Sequence, residues 1–365
     1  MTEILSQLFA EAKTDEIGNL CYLLQGRVAP LFAAVEFGVA DKMMVRAIAQ
    51  GLNIKQEEVI RTFKQEGDLG SATEKLKTQN QVRLGQNSKL KTTAQNLKIN
   101  EIFDVLYKVA TANGEGSQEV KIQLLGNLLI RVDPLSARYI VRITLAKLRL
   151  GFSDMTILDS LSWMLKKSKE LRPEIEKAYN VRPDLGFVSK TIKKEGIGGL
   201  VHASPKVGTP ILMARAERMA SGTDIIEKIG KCAIEPKYDG FRLQIHHRKV
   251  KSQKSKVKSG DLVKLFSRNL EDVTRMYPDI VKGVVVQINA HEAIFEGEAI
   301  GFDPKTGRYL PFQETVQRKR KYGIAEMAAK IPLKLIAFDL LFVDGENLIN
   351  KPYSKRRKKL EKIVG

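Results

Sequence analysis

The spacing of apolar residues changes character near residue 205. Up to about Leu200 the apolar positions recur at helical spacing, with repeated helix start and stop signals and few alternating runs. Beyond Ile234 the alternation is typical of strands at 241–247, 262–267, 293–300 and 333–343, with helical patterns at 271–282 and 314–329. The chain is therefore predicted to be multidomain: an all-α N-terminal half, a linker near 198–209 and an α+β half.

Capping residues mark a pair of helices in the N-terminal half. Asp133 followed by Pro134 is typical of a helix start, and Gly151 is typical of a helix end. A helix is thus predicted through residues 137–150, followed by a second helix capped at Ser153. Together they form a helix-turn-helix pair.

Three arginines lie on one side of the first of these helices. At about 100° per residue, Arg138, Arg142 and Arg149 fall within about 40° of one another, with Lys147 off to the side. Such a stripe next to a helix terminus suits a DNA backbone, and a solvated helix face is the alternative. Nothing in it predicts base readout.

The charge of the whole chain favours a polyanionic partner. Sixty-one lysines and arginines stand against 42 acids, which gives a formal net charge of +19. Because the basic residues are spread along the chain without a long apolar span, nucleic acid is favoured over a membrane. The amino terminus lacks a secretion signal, so a cytoplasmic location is expected. Two denser basic segments, 248–264 and 355–359, are interpreted as a hairpin loop and a terminal helix that could also contact phosphate.

Cysteine and histidine give no metal signature. Cys21 and Cys232 are far apart and are interpreted as free thiols in a reducing compartment. The four histidines are not at ligand spacing, and His246 and His247 are expected to expose opposite faces of a strand end. Little function is expected from them.

The most informative motif is the segment from Glu235 to Arg242. Lys237 precedes Asp239 and Gly240, which suit a tight turn presenting the amine at a strand end. A lysine with a lowered pKa can attack an activated phosphoryl group, and Arg242 adds a planar fork for phosphate or ribose oxygens. A surface hairpin with a solvated lysine is the alternative for this motif alone.

Further motifs follow the lysine segment in a fixed order. They are Ser-Arg-Asn at 267–269, Phe-Glu-Gly-Glu-Ala-Ile at 295–300 and Phe-Asp-Leu-Leu-Phe at 338–342. With the lysine motif, and with Ala-Arg-Tyr-Ile-Val-Arg at 137–142 and Lys-Leu-Arg-Leu-Gly at 147–151, the set resembles the ATP-dependent DNA ligases of archaeal and eukaryotic type. The resemblance covers most of the chain.

The resemblance implies a reaction and its cofactors. Lys237 would take AMP from ATP as a phosphoramidate and expel pyrophosphate, with Mg²⁺ screening the phosphates. AMP would then pass to the 5′ phosphate of a nick, and the neighbouring 3′ hydroxyl would attack and release it. Nicked double-stranded DNA is the implied substrate, with a sliding clamp as a candidate partner and a monomer without membrane attachment as the expected state. Replication, repair and recombination of DNA are the implied settings.

The resemblance also implies roles for the other motif residues. Glu235 would help to recognise adenine, and Arg242 would hold the ribose or phosphate side. Arg268 would contact the nucleotide or the 5′ phosphate of the nick. Glu298 would bind ribose or sit near the metal, and Phe338 would stack on adenine. The alternatives are a core role for Phe338, a strand-edge surface position for Glu298 and a solvated end for Arg268.

The expected domains are a helical DNA-binding domain at 1–203 and a partial adenylation domain at 204–365. The family pattern continues into lysine motifs and an oligonucleotide-binding (OB-fold) barrel, which this sequence does not contain. The chain is therefore expected to be a truncated form that binds DNA but adenylates itself slowly or not at all.

Two other functions remain open at this point. A GTP-using capping-type nucleotidyltransferase would share the Lys-x-Asp-Gly chemistry, although nothing in that class calls for the helical half. A non-catalytic DNA-binding protein with a degenerate transferase domain is the second alternative.

Overall fold

The chain folds into two compact units. The computed structural model describes residues 1–85, 97–148, 150–250, 261–320 and 322–365. The helical unit comprises Met1–Tyr179 and Asp184–His202, and the sheet unit comprises Asn180–Pro183 and Ala203–Gly365. Each is described by itself below.

The helical unit contains α-helices and short 3₁₀ turns within its described residues. The helices are α1 (Thr2–Glu11), α2 (Ile17–Leu24), α3 (Asp41–Leu52), α4 (Gln56–Glu66), α5 (Leu69–Gly85), α6 (Ile99–Thr111), α7 (Ser117–Arg131), α8 (Pro134–Thr144), α9 (Asp154–Lys166), α10 (Arg172–Val181, which ends in the residues assigned to the sheet unit) and α11 (Leu185–Glu195). The prediction of an all-helical N-terminal half is confirmed.

Pairs of helices build the core of this unit. Helix α3 packs on α7, α5 on α8, α1 on α9 and α2 on α11. Met44, Ile48 and Leu125 are fully buried between the first pair. At Gly51 a Cβ atom would lie 2.6 Å from the carbonyl oxygen of Gly126, so the α3 and α7 backbones approach more closely than any larger residue allows.

Helix α8 begins where the sequence predicts but ends earlier. The Asp133 side chain caps the helix by accepting from the Ser136 N–H, as expected. The helix stops at Thr144, not near Leu150, because Ala146 adopts a left-handed conformation with φ of 54°. The N–H groups of Ala146 and Lys147 return to the carbonyls of the last turn, which is a Schellman termination. The prediction was wrong because this position normally carries glycine.

The sheet unit is α+β, as predicted. Its strands are β1 (Phe241–Arg248), β2 (Leu262–Ser267), β3 (Glu292–Gly301), β4 (Leu333–Val343) and β5 (Glu346–Asn347). Its helices are α12 (Gly222–Ile229), α13 (Pro278–Gln287), α14 (Phe312–Thr315), α15 (Ile324–Lys330) and α16 (Tyr353–Ile363). The four predicted strands agree with the structure to within one residue at each end.

The two predicted helices of this unit differ from their expected bounds: the first is displaced towards the C-terminus and ends at Gln287, and the second is divided. The pattern at 271–282 becomes a 3₁₀ turn followed by α13, which starts at Pro278 because proline fixes the first helical residue. The pattern at 314–329 is divided: α14 and the 3₁₀ turn after it end at Arg318, and α15 begins directly after Gly323, whose φ is 62°.

The strands form one antiparallel sheet in the order β2-β1-β3-β4-β5. One face carries Leu243, Ile245 and Phe295 into an apolar core shared with α13 and α16. The opposite face carries polar residues of β1 and β3 in register, with Arg242 opposite Glu298 and Gln244 opposite Glu296. The sheet therefore has one dry face and one face rich in buried polar groups.

Strand β4 contains two register irregularities against β3. The pairing passes from Ala337 to Asp339 and from Leu340 to Phe342, so Phe338 and Leu341 are extra residues on β4. Bulges of this kind bend a strand and re-aim a side chain. Phe338 owes its orientation to the first of them.

Candidate active site

A large cleft lies in the sheet unit, lined by residues from both faces of β1. Its volume is about 1460 Å³, above the range typical of small-molecule sites. All six sequence-predicted nucleotide-site residues line this single cleft: Glu235, Lys237, Arg242, Arg268, Glu298 and Phe338. The fold thus brings together side chains separated by about a hundred positions in the sequence.

Lys237 is open to the cleft. It lies in an irregular stretch just before β1, and its side chain is exposed. Within the described part of the chain, no acceptor lies within hydrogen-bonding distance of its Nζ, although Lys237 interacts electrostatically with Glu298. The amine is therefore available to a ligand and has a carboxylate nearby.

Gly240 fixes the turn that leads from Lys237 into β1. A Cβ atom at this position would lie 2.3 Å from the carbonyl oxygen of Ala299 on β3. The Gly240 N–H donates a hydrogen bond to the Glu298 carboxylate. Only glycine permits this close approach, which explains why glycine is needed in the motif.

Glu298 is a half-buried carboxylate on the central strand β3. Burial raises its pKa above the ordinary value, and the Gly240 N–H, Arg242 and Lys237 oppose that effect. Its position inside the sheet excludes the strand-edge alternative. Glu298 faces the cleft together with the two cations that the lysine motif supplies.

Arg242 and Phe338 form one wall of the cleft. The Arg242 guanidinium lies 5.2 Å from the centroid of the Phe338 ring and donates to the buried Glu296 carboxylate. Phe338 lines the cleft, so the core alternative does not apply to it. The guanidinium therefore lies against the ring of an aromatic residue that lines the cleft.

Arg268 and Glu235 lie at other parts of the cleft lining. Arg268 follows the end of β2 and is exposed. Glu235 accepts a hydrogen bond from the Tyr353 hydroxyl, and Arg357 lies 3.9 Å from the same carboxylate. Helix α16 thereby reaches the cleft, which the basic pattern of its sequence did not predict.

In the helical unit, two of the predicted DNA-binding arginines are engaged in ion pairs. Arg138 donates to Glu74 at 3.0 Å, and Arg142 donates to Asp68 at 3.0 Å. Both guanidinium groups also lie about 6 Å from the Tyr139 ring, at 6.0 and 5.9 Å. These two side chains are partly buried and oriented by acids, in contrast to the solvated face expected for a charged stripe.

The other two predicted DNA-binding residues come after Thr144, the last residue of helix α8. Lys147 follows the Schellman turn and pairs with Asp41 at 2.8 Å. Arg149 lies outside the described residues, as does the basic segment 251–260. Among the described residues, Arg138 and Arg142 are therefore the members of the stripe that lie on helix α8.

Comparison with known proteins identifies both units. Residues 1–162 match the family described as DNA ligase N terminus, and residues 213–365 match the ATP dependent DNA ligase domain. The chain belongs to the ATP-dependent DNA ligase family. A relative named "Probable DNA ligase" from Dictyoglomus thermophilum is 44% identical over 364 residues, covering 100% of this chain and 58% of its own length. "DNA ligase 2" from Thermofilum pendens is 40% identical over 365 residues, covering 100% of this chain and 59% of its own length.

This ligase-family chain spans less than two thirds of the length of the curated relatives it matches. Among solved structures, the ligase domain of M. tuberculosis LigD is 27% identical, with 35% of each chain covered and a TM-score of 0.25.

Sequence reasoning missed several ligase residues around the cleft. Gln244, His246 and Glu296 are buried on the polar face of the sheet, although His246 was expected to be partly exposed. The signal was present in the alternation Arg242, Gln244, His246 along β1, which places three polar side chains on one face. Their burial depends on the distant segment 207–211, which covers that face.

The described residues contain no group of three or more His, Cys, Asp or Glu arranged to hold a metal. Both cysteines are free thiols, as expected, with Cys21 buried and Cys232 exposed. No helix within the described ranges has the length and apolar character needed to span a bilayer.

Proposed function

We propose that this chain is the DNA-binding and adenylation part of an ATP-dependent DNA ligase that seals nicks in duplex DNA. The observation that carries the proposal is the convergence of six motif residues, with Lys237 unpaired among the described residues, on one cleft large enough for a nucleotide. The helical unit would form the DNA-binding domain at 1–203, and the remainder the adenylation domain.

The first step would form a bond between Lys237 Nζ and the α-phosphorus of ATP. The neutral amine attacks, the bond to the bridging oxygen breaks, pyrophosphate leaves and the nitrogen loses one proton. Lys237 faces a cleft that holds Arg242 and Arg268, whose charges would offset the negative charge that grows on the phosphate oxygens. AMP would then pass to the 5′ phosphate of the nick before the 3′ hydroxyl closes it.

The cleft residues also fit Mg²⁺. The Glu298 carboxylate lies near Lys237, and Asp239 interacts with it electrostatically. Mg²⁺ in proteins is commonly bound through one or two carboxylates together with substrate phosphates. Glu298 and Asp239 would hold the ion, which when bound screens the phosphate charges.

The remaining roles follow from position in the cleft. Phe338 would stack on adenine, and Arg242 would contact ribose or phosphate. Glu235 would recognise adenine, with its carboxylate held by Tyr353. Arg268, which is exposed at the end of β2, would reach the nucleotide or the nick 5′ phosphate.

In the helical unit, Arg138, Arg142, Lys147 and Arg149 would contact the DNA backbone. Arg138 and Arg142 are already oriented by acids, so they would present fixed forks to phosphate oxygens. A monomer in the cytoplasm, acting in replication, repair and recombination with a sliding clamp, remains the expected setting.

Transfer of labelled AMP tests the proposal. The 365-residue chain, and a version extended past Gly365 by the C-terminal part of a relative, are incubated with ATP labelled at the α-phosphate. We expect slow labelling of the short chain, rapid labelling of the extended chain and none after Lys237→Ala. Lys231→Ala is the matched control, because Lys231 is an exposed lysine of the same segment that does not line the cleft.

The same assay separates the two alternatives. Preference for labelled GTP over ATP would favour the capping-type reading. Nick sealing by the extended protein that is unchanged by Lys237→Ala would rule out the proposed chemistry and favour a DNA-binding role alone.

DNA contact by the helical unit is tested through salt dependence. Loss of one phosphate contact lowers the slope of log affinity against log salt by about one. We expect Arg142→Ala to reduce the slope for nicked duplex by about that amount. An unchanged slope would show that Arg142 serves only its ion pair with Asp68.

A further inference from the structure

Gln244 occupies the centre of the polar face of the sheet, and every hydrogen-bonding position of its side-chain amide is used. It is fully buried on β1. Its Oε1 accepts from the Ile211 N–H at 2.7 Å and from His246 Nε2 at 3.0 Å. Its Nε2 donates to the Ile211 carbonyl at 3.0 Å and to Glu296 Oε1 at 3.1 Å. An amide has two donors and two acceptor positions, so none is left over.

Through Ile211, Gln244 fixes one wall of the cleft. The chain continues from Ile211 directly into Leu212, Met213 and Ala214, all of which line the cleft. The Gln244 side chain hydrogen-bonds to both the N–H and the carbonyl of Ile211. A neighbouring strand would make the same two bonds, although residue 211 belongs to no strand of the sheet. The Gln244 side chain thus fixes the position of Ile211 against the sheet, and with it the direction in which residues 212–214 continue.

Through Glu296, Gln244 also reaches the wall formed by Arg242 and Phe338. The Glu296 side chain is 4% exposed, and its carboxylate receives Gln244 Nε2 on one oxygen and Arg242 on the other. A buried carboxylate depends on such partners to stay charged and in place. Arg242 in turn lies over Phe338. The two walls of the cleft are therefore joined by one amide.

We infer that Gln244 is a positioning residue for nucleotide binding, which fixes the 211–214 wall and orients Arg242 through Glu296. The inference rests on the proposed function, because it deepens the use of the same cleft. Gln244 does not line the cleft, so it acts through Ile211 and Arg242 and not by contact with the ligand.

The test compares two buried β1 substitutions in the 365-residue chain. Gln244→Leu keeps a similar volume but removes all four hydrogen bonds. Ile245→Val is the control, because Ile245 is fully buried on the opposite face and does not line the cleft. Equilibrium binding of ATP with Mg²⁺ is measured by calorimetry, and thermal unfolding is measured for each variant.

We expect Gln244→Leu to raise the Kd for ATP by about tenfold or more, which corresponds to about 1.4 kcal/mol. Ile245→Val should lower the melting temperature with an unchanged Kd. Gln244→Met, which is unbranched and adaptable, replaces the leucine variant if that variant does not fold. Binding by Gln244→Leu or Gln244→Met equal to wild type would overturn the inference.

A double-mutant cycle tests the route through Arg242. If Gln244 acts by orienting Arg242, the losses from Gln244→Leu and Arg242→Lys will be clearly less than additive. Full additivity would refute the link through Glu296. Wild-type chain that binds no ATP would count against the proposed function itself, so the two failures are distinguishable.

Discussion

The buried histidine of β1 gives a direct prediction for the dependence of stability on pH. His246 is fully buried, and burial lowers its pKa from 6.5 to about 3. Its Nδ1 accepts from the Gly208 N–H at 3.1 Å, so the ring proton lies on Nε2 and is donated to Gln244. Protonation would turn Nδ1 into a donor that faces the Gly208 N–H, which is also a donor. The neutral ring is therefore the form that fits the fold.

The sign and size of the effect follow from proton binding. Because the folded pKa lies below the unfolded value, the unfolded state binds more protons as the pH falls from 6.5 to about 3. Stability of the sheet unit is lost through this window at up to about 1.4 kcal/mol for each pH unit. Between about pH 7 and pH 5 the loss from this group is about 2 kcal/mol.

Pulse proteolysis in urea, read on fragments of the sheet unit, measures this change. Other groups titrate in the same range, so the test compares wild type with His246→Asn. The asparagine oxygen can accept from Gly208 in place of Nδ1 but does not titrate. We expect the pH dependence of the variant to be smaller by about one proton. Equal slopes for the two proteins would refute the assignment, as would an imidazole signal of His246 that titrates near its ordinary pKa.

Three further outcomes are expected. Gly240→Ala, whose methyl would meet the Ala299 carbonyl, should destabilise the sheet unit by about 2 kcal/mol and abolish ATP binding in calorimetry; unimpaired binding would contradict the turn geometry. Asp279→Asn leaves the almost fully buried Arg318 without its anion and should lower the free energy of unfolding, measured in urea, by about 3 kcal/mol. Adding Arg318→Met should restore part of that free energy. Burial raises the pKa of Asp68, but the Ser71 N–H and Arg142 outweigh it and lower that pKa. The stability difference between wild type and Asp68→Asn should therefore disappear as the pH falls below 3.8, and persistence in acid would argue against an ionic cause.

The parts of the fold that follow from local spacing could be predicted. The strands β1 to β4 carry alternating patterns with buried partners on the dry face, so their limits were predicted to within a residue. The end of α8 could not be predicted, because Ala146 adopts a conformation for which sequence rules expect glycine. The end of a helix depends here on hydrogen bonds and not on the residue type.

The cleft was predicted only in part. Lys237 and Arg242 were identified from the lysine motif itself, and the other four residues through the resemblance and the order of the motifs. Their convergence could not be read from spacing, because it depends on strand register between distant segments. Gln244 and Glu296 were missed, since a polar residue in an alternating strand is ordinarily solvated. Only the return of residues 207–211 over the sheet makes them internal.

The paired irregularities of β4 make the strand sensitive to changes in its length. Each extra residue exchanges the two faces of the sheet on which the preceding side chains of β4 lie. Two such exchanges restore the original faces. Leu333 and Leu335 therefore point to the same apolar interior as Val343 despite the interruptions. Because Phe338 is itself an extra residue, deleting it would remove one irregularity and leave Ala337 opposite Gly297, whereas deleting a regularly paired residue such as Ile336 would move the preceding side chains to the other face of the sheet. Among natural sequences of this family, single-residue deletions within this strand should accordingly fall at the two irregularities and not at regularly paired positions.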